Sequence, residues 1–135
     1  MYSDISKNLW MTHTMMAKHL DNALGTIHGI GLTEYMVLQA LSEAPNNIMR
    51  RVDLAESIGR TASGITRMLM PMEKIGLIKK ESNKRDARVS LVKLTPAGER
   101  LLSDAAVTFE QKSEQLLKNL NQKQLETFNK ILQGI

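Results

Sequence analysis

Val52-Asp-Leu-Ala-Glu-Ser-Ile58, Gly59-Arg60-Thr61 and Ala62-Ser-Gly-Ile-Thr-Arg-Met-Leu-Met-Pro-Met-Glu-Lys-Ile75 follow one another without a spare residue. The first run has the apolar spacing of a two-turn helix, the Gly-Arg-Thr triplet breaks it, and the third run resumes a helical period. Two helices joined by so short a turn form a helix-turn-helix. Next come Leu77-Ile-Lys-Lys-Glu81, the polar Ser82-Asn-Lys-Arg-Asp-Ala87, and Arg88-Val-Ser-Leu-Val-Lys-Leu94. The last run alternates as a strand should and the middle run is turn-forming, so a basic hairpin follows the second helix. This order predicts a winged helix, with the helix over 62–75 suited to a DNA major groove and the wing over 82–88 to the adjacent minor groove.

Outward from this centre the chain is helical. Ile5, Leu9, Met16, Leu20, Ala23, Leu24 and Ile27 recur close to a 3.6-residue period, which predicts one long amphipathic helix from Asp4 to about Ile27, ended by Gly29 and Gly31. Thr33 is expected to cap a second helix from Glu34 to Ala44, and Pro45-Asn46-Asn47 ends it. Ile48-Met49 suits a minimal third strand. Thr95-Pro96 has the form of an N-cap followed by proline at the first helical position, and predicts a helix to about Asn119. Asn121 with Gln124 three residues on resembles a capping box opening a last helix. The expected fold is therefore mainly α with a small β-hairpin wing: a winged helix-turn-helix head at 31–95, flanked by an N-terminal dimerisation helix at 1–30 and C-terminal dimerisation helices at 96–135, all in one compact domain. The end helices carry more apolar face than so small a head covers, and large exposed apolar patches are rare on monomers. A twofold homodimer with interleaved ends is the economical solution.

The 135 residues suit a single modest core. The formal charge of +4 is unevenly spread. Arg60, Arg67, Lys74, Lys79, Lys80, Lys84, Arg85, Arg88 and Lys93 stand against Glu73, Glu81 and Asp86, with Arg51 just ahead, while the chain outside this window is net acidic. Such clustering is the electrostatic footprint of a nucleic-acid binder. The absence of cysteine excludes disulfides and thiolate redox chemistry. No charged-then-apolar leader and no membrane-length apolar run is present, so a cytoplasmic location and no membrane partner are expected. No nucleophile–base pattern, paired carboxylates or glycine-rich phosphate loop suggests an enzyme. His13 and His19 are six apart, off the three- or four-residue spacing that places two ligands on one helical face, so neither a metal nor another cofactor is expected. A winged helix serving only as a protein-binding scaffold is the alternative function.

On a helical wheel Ala62, Ile65, Met68, Leu69 and Met72 share the side expected to face the core, and Ser63, Arg67, Met70 and Lys74 lie opposite. The outward N-terminal residues Ser63 and Arg67, flanked by Gly64 and Thr66, lie where a recognition helix touches base edges, and Ser63 and Thr66 can serve either base edges or phosphate. Arg67 has the fork that matches guanine O6 and N7. Arg60 and Thr61 at the turn, with the free N–H groups of the helix start, are expected to hold a phosphate. Pro71 is expected to bend the helix past Met70. At the wing, Lys84, Arg85 and Arg88 suit phosphate and minor-groove contact. Asp86, repelled by phosphate, is expected to accept bonds from Arg85 or Arg88 and set their direction.

Leu54-Ala55-Glu56, Ile58-Gly59, Ser63-Gly-Ile-Thr-Arg67, Met72-Glu-Lys-Ile-Gly-Leu-Ile78, Arg85-Asp86-Ala-Arg88 and Leu94-Thr-Pro-Ala-Gly98 together resemble the MarR family of bacterial transcription regulators. The resemblance implies a homodimer of winged-helix subunits on a pseudo-palindromic operator in double-stranded DNA, usually a repressor, often released by a small aromatic or other ligand. It places the recognition positions on Ser63, Gly64, Thr66 and Arg67 and the wing pair on Asp86 and Arg88. Family ligands sit between the dimerisation helices and the head, which implies Trp10, His13, Met16, His28 and Tyr35 as effector candidates. Asn83 departs from the acidic residue that opens the wing motif in many members.

Overall fold

Helix α1, Tyr2–His28, leads a computed structural model that describes residues 1–135. It is followed by α2 (Leu32–Glu43), a 3₁₀ turn at Pro45–Asn47, β1 (Ile48–Arg50), α3 (Arg51–Ser57), α4 (Ala62–Lys74), β2 (Ile78–Ser82), β3 (Ser90–Leu94), α5 (Pro96–Leu116) and α6 (Gln122–Gln133). The three strands form one antiparallel sheet in the order β1-β3-β2, so the minimal strand at Ile48 joins the wing hairpin as expected. Met49 lies opposite Val92 and Lys80 lies opposite Val92 from the other side.

Capping decides several boundaries. Thr33 is not the N-cap of α2: the helix opens at Leu32 with Gly31 as its cap residue. Asp21 of α1 reaches across and accepts the Leu32 N–H at 2.7 Å, supplying from a neighbouring helix the acceptor that a local side chain would otherwise provide. Thr95 caps α5 by accepting the Gly98 N–H at 3.1 Å, with Pro96 at the first position. Asn121 and Gln124 close a reciprocal capping box at the start of α6. Helix α5 ends at Leu116, short of Asn119, because the chain turns there and the Leu120 N–H bonds the Leu117 carbonyl. Asn46 and Asn47 both hold φ of 59°, a conformation asparagine tolerates better than most residues, and so turn the chain from α2 into β1.

One apolar cluster runs from Leu24 of α1, through Val37, Leu38 and Leu41 of α2 and Leu54 of α3, to Ile65, Leu69 and Met72 of α4, Val92 and Leu94 of β3, and Leu102 and Ala105 of α5. The wheel's inward set therefore holds for Ile65, Leu69 and Met72. Ala62 is exposed instead, because the first turn of α4 projects beyond the core that the rest of the helix covers. Helix α4 continues through Pro71 to Lys74, and the proline ring lies on the exposed side. Helix α6 has no buried residue, and the N-terminal half of α1 exposes Ile5, Trp10, Met11 and Met15.

Candidate nucleic-acid interface

The turn into α4 is set by backbone geometry. Gly59 adopts φ of +68°, which side-chain-bearing residues resist, and this brings the Arg60 N–H onto the Ala55 carbonyl at 2.8 Å. Thr61 then caps α4: its Oγ1 accepts the Gly64 N–H at 3.0 Å and its carbonyl accepts the Ile65 N–H at 2.9 Å. The N–H groups of Ala62 and Ser63 remain uncommitted at an exposed helix start, with the Ser63 hydroxyl 3.4 Å from that of Thr61. Arg60, on the other side of the turn, donates from Nη2 to Thr33 Oγ1 at 3.0 Å. The hydroxyl left over when Asp21 caps α2 is thus the one that orients Arg60.

Along α4 the outward set is Ser63, Arg67, Met70 and Lys74, all exposed. Arg67 forms no ion pair, so its guanidinium fork is free. Thr66 is different: it is half-buried and its hydroxyl donates to the Ala62 carbonyl at 2.9 Å, which turns the proton inward and leaves the methyl group and a lone pair. Met70 was placed outward by the wheel without being assigned a contact. It is 62% exposed beside Arg67 and belongs to the same surface; the signal was its i+3 spacing from Arg67.

The wing tip is pre-shaped by two acceptors. Asn83 Oδ1 accepts the N–H groups of Arg85 at 2.8 Å and Asp86 at 3.3 Å, so an uncharged amide performs the turn closure. Asp86 Oδ1 then accepts the Arg88 N–H at 3.0 Å and its Nε at 3.2 Å. The Arg88 N–H, and after it the guanidinium, hold the Asp86 carboxyl below the usual aspartate range. Arg88 is the partner, not Arg85. The Val89 N–H bonds the Asp86 carbonyl, which keeps Arg88 and Val89 out of the expected strand and lengthens the tip. Lys84, Arg85 and Arg88 project into solvent.

The five effector candidates are not gathered in one place. His13 and Met16 line a groove of about 710 Å³ between α1 and α6, walled by Leu9, Leu20, Phe128 and Leu132. A second groove of about 690 Å³ adjoins it at His13 and Met36 and runs to Thr33 and Arg60. Trp10 is 67% exposed and lies off both grooves. Tyr35 is a core residue, stacked on Phe109 with ring centroids 4.6 Å apart, and burial followed by the charge of Glu110 pushes its phenol up. His28 is tied to Thr108, Nε2 to Oγ1 at 2.6 Å, joining α1 to α5. No cluster of three metal-ligating side chains occurs, and no helix is long and apolar enough to cross a membrane.

Residues 30–90 match the sequence profile of the MarR family. The transcriptional regulator HosA of Escherichia coli is 26% identical over 126 residues, covering 93% of this chain and 87% of the relative. Sco3205, a MarR family transcriptional regulator from Streptomyces coelicolor solved in complex with DNA, superposes with a TM-score of 0.87 at 23% identity, over 97% of this chain and 83% of that one. The transcriptional regulator BldR from Sulfolobus solfataricus gives 0.86 at 25% identity, over 99% and 96%. The winged-helix fold, with its long end helices, is common to these structures.

Proposed function

We propose that this chain, whose residues 30–90 match the MarR family, is a member of it and a homodimeric, sequence-specific DNA-binding transcription regulator and ligand-responsive repressor. The carrying observation is the exposed face of α4, with Ser63, an unpaired Arg67 and free N–H groups, on a helix packed against β2 of a hairpin whose tip holds Arg88 already aimed by Asp86. Arg67 reads guanine in the major groove. Arg60, Thr61 and Ser63 take phosphate, and Lys84, Arg85 and Arg88 engage the minor groove. Residues 31–95 act as the head, and residues 1–30 and 96–135 supply the dimer contacts.

A twofold dimer presents two copies of α4 to half-sites about one helical turn, roughly 34–36 Å, apart. Footprinting on operator fragments selected from the source genome tests this directly, since protection should repeat at about ten base pairs. Affinity should fall log-linearly and steeply with salt. A protein-binding scaffold would show neither behaviour. The effector is assigned to the paired grooves at His13 and Met36, which join the dimerisation helices to Arg60 at the entrance of the recognition helix. No catalytic role is assigned.

A further inference from the structure

We propose that the cleft between α4 and the wing hairpin seats the backbone phosphates that separate the two DNA grooves, with Arg51 as their main partner. This rests on the functional reading above and adds a contact that neither the base-reading face nor the wing tip supplies. With α4 in a major groove and the 82–88 tip in the adjacent minor groove, the sugar-phosphate strand dividing those grooves must cross between the two elements. The cleft that opens there has an apolar floor of Leu69, Ile78 and Val92, and its polar rim carries Arg51, Lys80 and the one acid Glu73. Its free volume of about 20 Å³ is too small for a base, so a ligand is held at the rim, by Arg51.

Arg51 is the unusual residue here. Arg50 pairs in register with Leu91, so Arg51 leaves β1 beside Ser90, and both line the cleft. It is half-buried, yet it makes no ion pair and no side-chain hydrogen bond; the nearest acid in sequence, Asp53, is held by Arg50 at 3.0 Å. The Arg51 guanidinium donors have no partner in the protein and are available to a ligand. Lys80 is by contrast balanced by Glu73 at 3.9 Å, and Lys79 by Glu81 at 3.6 Å. Arg51 therefore carries the uncompensated charge of the cleft, and a phosphodiester oxygen accepting from its fork satisfies it.

Salt titrations of duplex binding by the full-length protein, followed by fluorescence anisotropy, provide the test. Arg51→Gln should weaken operator and unrelated duplex by the same factor and flatten the slope of log affinity against log salt by about 0.9 per subunit. Arg51→Lys should keep the slope, and Arg50→Gln, which removes the paired neighbour, should leave it unchanged. Neutral methylphosphonates at the phosphates between the grooves should weaken the wild type and leave Arg51→Gln unaffected. An Arg51→Gln slope equal to wild type, or a wild type indifferent to those methylphosphonates, overturns the proposal. Binding of inorganic phosphate to the DNA-free wild type, lost in Arg51→Gln, would mark a free-anion site and overturn it as well. A wild type that binds no duplex at low salt overturns the functional reading itself, a result distinct from all of these.

Discussion

Arg67 and Asp86 serve the proposed complex in opposite ways, one by touching a base and the other by holding the side chain that touches DNA. Arg67→Ala should cost about 1–3 kcal/mol on the operator and relax discrimination at one base pair per half-site, read by binding to a panel of single-site operator variants. An equal loss on every sequence would identify a phosphate contact instead. Asp86→Asn should lower affinity, because the amide keeps an acceptor at Oδ1 but loses the negative charge and presents a donor where Oδ2 now accepts from Arg88 Nη2; a gain in affinity would show that the carboxylate merely repels DNA. The carboxyl titrates below its ordinary range, so its contribution is complete above that range and is lost only as pH falls beneath it. The ratio of wild-type to Asp86→Asn affinity should therefore stay constant from about pH 5 to about pH 8, measured at fixed ionic strength. Residue types at this scale were legible from sequence: a guanidinium at an outward helical position and an acid among bases. Partners were not. Asp86 had two arginines within reach, and only the tip's turn geometry selects Arg88.

Among the elements, the junction of β3 with α5 is the most constrained. The Thr95 N–H bonds the Leu77 carbonyl at 3.1 Å and the Thr95 hydroxyl donates to the Gly76 carbonyl at 2.5 Å, so the start of α5 is stitched to the start of the wing. Gly98 sits under this stitch. A Cβ there would lie 2.2 Å from the Leu77 carbonyl oxygen and 2.6 Å from Leu94 Cδ1, which gives the Leu-Thr-x-x-Gly pattern a steric cause. Gly98→Ala is expected to destabilise by at least about 3 kcal/mol, at or beyond the upper end of overpacking, and to show as a large drop in thermal midpoint or as insolubility. Thr95→Ala, which removes both the cap and the hydroxyl's bond to Gly76, should cost about 2 kcal/mol and lower the midpoint by several degrees. Elements with strong local signals, such as the cap at Thr95 and the box at Asn121, were readable in the chain. The start of α2 was not, because its cap comes from Asp21 on another helix, eleven residues away.

For the whole molecule the decisive fact is an amphipathic α6 that forms completely yet leaves even Leu125 and Phe128 only partly covered, beside an α1 whose Ile5, Trp10 and Met11 face solvent. In the proposed dimer these faces are covered by a second copy of the chain. Phe128→Glu combined with Leu132→Glu should reduce the light-scattering mass from twice 15.2 kDa to a single chain. Operator affinity should fall with it by about 10²–10⁴, the avidity lost when two heads are no longer tethered. A persistent dimer in that variant would relocate the interface to the exposed half of α1. The apolar periodicity, the turn residues, the caps and the clustering of charge determined which elements form, in what order, and that a helix-turn-helix with a basic wing results, because each of these depends on neighbours within a few residues. Which arginines stay unpaired, which histidine faces a groove, that Tyr35 is core, and that Gly98 must lack a side chain were decided only when distant segments packed, because burial and hydrogen-bond partnership are properties of contacts that chain spacing does not contain.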